Sequence, residues 1–207
     1  MRTNVYIDGF NLYYGALRKT AYKWLDVRRM CEKILPRNQI AQIKYFTARV
    51  SPQTGDRSQA IRQDLYLRAL GTVPGVSIHY GHFLVHNVHR RLANPPPGTN
   101  PYVEIVKIEE KGSDVNLAAH LLHDGHQGLY DAAVVVSNDS DLVTPILMVK
   151  QDLGFPVGVL NPHRRTANAI RDSASFIRPI RTGVLADSQL PATLADGSGT
   201  ITRPHVW

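Results

Sequence analysis

An α/β fold, with a mostly parallel central sheet between two helical layers, is predicted by three observations. Apolar runs of strand length alternate along the chain with segments of helical periodicity, the order that builds parallel sheets through helical crossovers. One run, Ala132 to Val136, is apolar without interruption, as in a strand buried on both faces. Acids follow at the ends of the expected core strands, where open α/β sheets hold their ligands. The alternation runs through residues 1–181, and those residues are expected to form one domain. Residues 182–207 are expected to be a weakly ordered tail.

The first strand is residues 3–8, closing on Asp8. Asn11 suits the cap of a helix reaching about Lys19. Residues 25–35 read as a helix, with Asp26 as its cap and Pro36 as its stop. Residues 39–50 alternate as a strand, residues 51–56 form a polar turn, and residues 58–70 read as an amphipathic helix. That helix directs Ile61, Leu65 and Leu70 to the core and Arg57, Arg62 and Arg68 to water. Val76 to Tyr80 is a further strand. The Pro-rich segment from Asn94 to Pro101 marks a loop or hairpin insertion around residues 86–104.

Residues 102–110 read as a strand and Ser113 as the cap of the helix that follows. Asp114, Leu117, Ala118, Leu121 and Leu122 fall on one stripe of that helix, so Asp114 faces inward at its head. After the run at 132–136 come Ser137, Asn138, Asp139, Ser140 and Asp141. Pro145 then suits a helix start, reaching Asp152. Residues 155–160, 166–172 and 176–180 read as strand, helix and short edge strand. From Arg181 onward no periodicity persists, and docking through Leu185 or Leu190 is the one anchor foreseen.

Composition narrows the function. The chain has 207 residues, a formal charge of +7 and one cysteine, Cys31, which excludes an intrachain disulfide and a cysteine-rich zinc site. No apolar run approaches the length of a membrane span. No signal-peptide core precedes the first strand, and a cytoplasmic protein is expected. The basic balance suits a polyanionic partner.

Each acid alone has an ordinary structural reading: Asp8 as a turn residue before Gly9, Asp139 and Asp141 as cap residues, Asp114 as a partner of the helix dipole. Together they are harder to explain so, because four carboxylates in one crevice raise one another's pKa unless a cation compensates. Mg²⁺ or Mn²⁺ would resolve the repulsion, and such an ion can activate water for in-line phosphoryl displacement.

Three segments, Ile7-Asp-Gly-Phe-Asn11, Lys111-Gly-Ser-Asp114 and Ser137-Asn-Asp-Ser-Asp141, resemble in order the signature segments of NYN domains, PIN-like relatives of metal-dependent ribonucleases. The resemblance implies a PIN-like three-layer α/β/α sandwich and a Mg²⁺- or Mn²⁺-dependent endoribonuclease. It makes Asp8, Asp114, Asp139 and Asp141 the catalytic and metal-site acids, and Asn11 the residue that orients the first acid or a phosphate. Asn138 stands where the family often has Gly. Ser137, Asn138, Lys111, Arg49, Arg164 and Arg165 are candidates for holding RNA, with Arg90 and Arg91 nearby in the reading. RNA is the expected partner, a homodimer setting basic loops side by side is compatible, and no membrane is involved. The competing readings are a non-catalytic RNA-binding or regulatory adaptor, and an aspartate-based phosphatase or phosphoacceptor. Against the phosphatase, Phe10 stands where a second acid would serve as general acid.

Overall fold

The computed structural model describes residues 1–50, 57–205 and 207. Its central sheet has six strands in the order β3-β2-β1-β6-β7-β8, all neighbours parallel. These are β1 (Arg2–Asp8), β2 (Gln39–Thr47), β3 (Val76–Tyr80), β6 (Ala132–Val136), β7 (Val157–Asn161) and β8 (Phe176–Pro179). Every residue of β6 and β7 is buried, as uninterrupted apolar runs require.

Alternate residues of each strand feed separate cores. Val5, Ile7, Ile43, Val134 and Val136 face α2 (Val27–Ile34) and α3 (Arg57–Gly71). Tyr6, Phe46, Ala133, Val135 and Val159 face α4 (Ser113–His126) and α5 (Val143–Gln151). This two-sided burial makes the fold a three-layer α/β/α sandwich, as the sequence predicts. Cys31 is buried in the first core, where burial pushes its thiol up to about 12. Among the described residues no helix is long and apolar enough to cross a membrane.

Strand order reverses between β1 and β6. The chain winds outward from β1 through β2 to β3, then returns to β6 and winds the other way. The crevice beyond the carboxyl ends of β1 and β6 is therefore the topological switch point, the usual ligand site of such sheets. Parallel register sets Ile7 against Val136, which brings Asp8 and Ser137 out side by side.

Helix α4 is fixed to the sheet by a buried polar cluster. The Tyr6 hydroxyl donates to Asp124 Oδ2 (2.7 Å), and Lys44 Nζ donates to Asp124 Oδ1 (2.9 Å). Asp124 is 1% exposed. A carboxylate so deep is tolerable only because a cation and a phenol satisfy it. Burial and Asp124 together push the Tyr6 hydroxyl far up, so it remains a donor. The cluster joins β1, β2 and α4.

Several local expectations are corrected. The first helix is capped by Asp8 rather than Asn11: Asp8 Oδ1 accepts from the Asn11 N–H (2.9 Å). That helix is short, α1 (Gly9–Leu12), and widens into a π-helical turn (Tyr13–Leu17). In α3 the buried stripe passes through Tyr66, Leu67 and Leu70, leaving Ile61 62% exposed. Arg68 does not simply face water but forms a two-pronged pair with Asp196 (2.9 and 2.7 Å). The turn expected over residues 51–56 lies outside the described residues. Gly112, not Ser113, precedes α4, at a φ of 96° that favours glycine. Glu110 satisfies the helix start instead, accepting from the Ser113 N–H (3.1 Å) and hydroxyl (2.7 Å).

The insertion is an antiparallel hairpin of β4 (His82–Arg91) and β5 (Tyr102–Lys111), longer than expected and paired along its length. Its base meets the sheet crevice through an edge contact between Phe83 and Phe10. Between β7 and β8 lies α6 (Asn168–Ser173).

The residues after Arg181 carry structure where a weakly ordered tail is expected. Helix α7 (Thr182–Asp187) precedes a hairpin of β9 (Thr193–Asp196) and β10 (Gly199–Thr202). Ile201 is fully buried, Leu185 and Leu190 are buried as foreseen, and Trp207 packs edge-on against Trp24. Strands of four residues are too short to show a period, so only their partners reveal them.

Removing one member of the buried cluster strands the other. Asp124→Ala is expected to destabilise the fold by about 3 kcal/mol, and pairing it with Lys44→Met to restore a substantial part. Urea unfolding of the single and double variants checks this; additive losses would contradict the coupling.

Candidate active site

The site grows from the mouth of β1. Asp8 is 5% exposed, and both its oxygens are engaged: Oδ1 by the Asn11 N–H, Oδ2 by the Ser137 hydroxyl (3.0 Å). Ser137 in turn accepts from the Asp139 N–H (3.1 Å), and Asp139 Oδ1 accepts from the Asp141 N–H (3.0 Å). The loop after β6 is thus wound back on Asp8 by its own short polar side chains, as Ser and Asp do at helix starts. Gly9 allows this: a Cβ there would lie 2.6 Å from the Tyr45 ring and 2.8 Å from the Phe46 carbonyl oxygen.

Asn11 and Asn138 brace the opposite wall. Asn11 Oδ1 accepts from the Asn138 N–H (3.0 Å). With Asn11 Oδ1 fixed as an acceptor, His163 Nε2 at 3.1 Å is the donor. The Asn138 side chain donates to the Arg165 carbonyl (3.2 Å) and accepts from the Ala167 N–H (2.9 Å). It ties the β6 exit to the loop after β7, work that Gly could not do. Gly15 makes room for His163, since a Cβ there would sit 2.8 Å from the imidazole.

Asp8, Asp114 and Asp139 line one pocket of about 220 Å³, with Glu110, Ser113, Asn11, His163, Phe10 and Tyr14. Asp141 does not line it. Among the described residues no lysine or arginine does either. The electrostatics follow: burial, then the neighbouring Asp8, Asp139, Glu110 and Asp141, push the Asp114 carboxyl up to about 6. Burial raises Asp8 as well, against the opposing pull of its hydrogen bonds.

The donor set consists of hard carboxylate oxygens with unrelieved repulsion, which suits Mg²⁺ or Mn²⁺. Among the described residues no group of three or more His, Cys, Asp or Glu side chains is already drawn together to hold an ion. The three aspartates therefore share a pocket without forming a ready cage, and part of the coordination of a small cation would fall to water.

The proposed RNA-holding residues divide. Arg164 and Arg165 line a larger cleft of about 810 Å³ with Arg18 and Lys19; it shares Tyr14 and His163 with the acidic pocket. Arg49 is paired with Asp64 and lies over the Tyr80 ring, and Lys111 is paired with Glu109 (3.6 Å). Neither lines the acidic pocket. Arg90 and Arg91 stand exposed on the hairpin. His163, Glu110, Tyr14 and Arg18 escape the sequence reading. Only the placing of Glu110 three residues before Ser113 offered a signal, a side chain within reach of a helix start.

The comparisons agree with this architecture. The NYN domain family profile matches residues 2–181. The chain belongs to the NYN domain family, within the PIN-like superfamily, and has the PIN-like nuclease fold. It is 33% identical over 238 aligned positions to a Pseudomonas putida protein named 6-hydroxy-3-succinoylpyridine 3-monooxygenase HspA, covering 100% of this chain and 75% of that protein. A crystal structure of a protein of unknown function from Vibrio parahaemolyticus superposes with a TM-score of 0.56 at 17% identity, covering 91% of this chain and 96% of that one.

The raised Asp114 carboxyl sets a pH dependence. Well below the ordinary value of 3.8 it is protonated in both folded and unfolded chains and costs nothing. Between the ordinary value of 3.8 and about 6 the unfolded chain ionises first, so stability falls as pH rises and stays lowered above that window. In chelator-treated protein Asp114→Asn should be more stable than the parent at pH 7.5 by about 1 kcal/mol, after discounting for the half-exposed side chain. The difference should close at about pH 3, below the ordinary carboxyl value. Thermal unfolding at the two pH values measures it, and an equal gap at both would contradict the assignment.

Proposed function

We propose that the chain is a Mg²⁺- or Mn²⁺-dependent endoribonuclease that hydrolyses RNA phosphodiester bonds. One observation carries the reading: a pocket of aspartates at the switch point adjoins an arginine-lined cleft, with Tyr14 and His163 common to both. Arginines and a lysine fit a polyanionic backbone, while the acids next to them would repel it unless a cation intervened. Membership of a family with a PIN-like nuclease fold adds support.

Asp8, Asp114 and Asp139 would hold the ion, which when bound supplies an activated water and steadies the phosphate oxygens. Asp8 is pre-oriented by the Asn11 N–H and the Ser137 hydroxyl, so little motion is lost on binding. Asp141 acts from outside the pocket, its N–H holding Asp139 in place. Arg164, Arg165, Arg18 and Lys19 hold the backbone that runs away from the cleavage point. His163, kept in one orientation by Asn11, can hand a proton to the leaving oxygen as the phosphorus–oxygen bond breaks.

A second reading has one observation in its favour, the name of the Pseudomonas putida relative. In that reading the chain oxygenates a hydroxylated pyridine. Dioxygen consumption with 6-hydroxy-3-succinoylpyridine and a reductant would support it.

Asp8→Asn and Asp139→Asn are each expected to lower Mn²⁺-dependent cleavage of a mixed RNA pool by at least about a hundredfold, the scale of losing a charge-stabilising group, with unfolding temperatures not reduced. Arg164→Ala with Arg165→Ala should weaken RNA binding and flatten its salt dependence. Gel electrophoresis beside a binding titration reads both. Undiminished cleavage by both aspartate variants would overturn the assignment. Binding by the parent protein without any product would favour an RNA-binding adaptor.

A further inference from the structure

The acidic pocket has a second neighbour. Beside it lies a cavity of about 240 Å³, walled by Phe10, Tyr13, Tyr14, Tyr45, Tyr66 and Trp207. Phe10 and Tyr14 belong to both pockets, and Tyr14, 56% exposed, also borders the basic cleft. The three cavities meet at that one ring.

The polar groups of this cavity are unevenly satisfied. The Tyr66 hydroxyl donates to the Leu25 carbonyl (3.0 Å), and Gln63 bridges the Val50 N–H and the Ala48 carbonyl. Tyr45 is 4% exposed, yet its hydroxyl has no hydrogen-bond partner among the described residues. Tyr45 lines the cavity, so a bound group can reach it. Burial, with the Asp8 carboxylate near, pushes this hydroxyl up and keeps it protonated. Lys23 Nζ donates to the Thr20 and Trp207 carbonyls (2.9 Å each), which leaves one of its three protons unused. The cavity thus offers aromatic faces, one unpaired hydroxyl and one ammonium proton.

We propose that this cavity takes the base of an unstacked nucleotide whose phosphate lies over Asp8, Asp114 and Asp139. The inference rests on the nuclease reading. A planar heteroaromatic ring matches the walls, because every base has faces that stack on aromatic side chains whatever its identity. The carbonyl and ring-nitrogen acceptors of a base edge match the Tyr45 hydroxyl and the Lys23 ammonium. A base inside a duplex presents neither face, whereas one in a loop or single strand presents both. Apolar side chains of a partner protein would leave the Tyr45 hydroxyl unsatisfied.

The test uses the full chain in Mg²⁺-containing buffer and the fluorescence of Trp207, with UMP and AMP as probes, ribose 5-phosphate as the baseless control and 2-hydroxypyridine as a free ring. Saturable quenching by the mononucleotides and none by ribose 5-phosphate is expected. Tyr14→Ala and Tyr45→Phe should each weaken mononucleotide binding about tenfold, the scale of one stacking or hydrogen-bonding partner, with unchanged unfolding temperatures. Trp207→Phe should abolish the quench while Trp24 still emits. Quenching by the pyridine alone, equal binding of ribose 5-phosphate, or no response to either variant would overturn the proposal. RNA cleavage without mononucleotide binding would remove the base pocket and leave the nuclease. Mononucleotide binding without cleavage would do the reverse.

Discussion

The hydrogen bond from Ser137 to Asp8 joins the two strands between which the sheet changes direction, and the site depends on it. Parallel register of β1 against β6 brings the two residues out together. The bond holds a nearly buried carboxylate in an orientation that desolvation alone would not select, while the same hydroxyl captures the Asp139 N–H. Two acids from distant parts of the chain are thereby set at one opening. The third, Asp114, arrives because Lys44, Tyr6 and Asp124 pin the far end of its helix to the same strands. Stability and function meet here: the cluster that satisfies a buried charge also aims the head of α4 at the crevice.

The resulting site holds repulsion that its own residues do not relieve. Structural aspartates are usually answered by arginine, lysine or several backbone donors. Around this pocket the cations stand one wall away, in the cleft of Arg18, Lys19, Arg164 and Arg165. Such segregation of charge suits a substrate that is itself anionic and must approach a cation held between acids.

Much of this was legible in the sequence, for physical reasons. An apolar run such as Ala132–Val136 can bury only as an inner strand, and acids beyond such runs fall at the carboxyl edge of a parallel sheet. The three acidic segments were therefore readable, as was the inward stripe of α4. Tyr14 and His163 were not, because their place depends on the π-helical turn and on the brace between Asn11 and Asn138, which no periodicity encodes. Arg49 and Lys111 looked like phosphate ligands by charge, but Asp64 and Glu109 hold them. The structure after Arg181 was hidden because its elements are short and are held by distant partners such as Arg68 and Trp24.

The central claim is that the aspartates at the switch point act as one cation site. Anomalous scattering from a crystal soaked in Mn²⁺ tests it most directly. The account predicts a single strong peak in the pocket bounded by Asp8, Asp114 and Asp139, absent from the Asp8→Asn protein. A peak elsewhere, or none at a Mn²⁺ concentration that supports RNA cleavage, would contradict it.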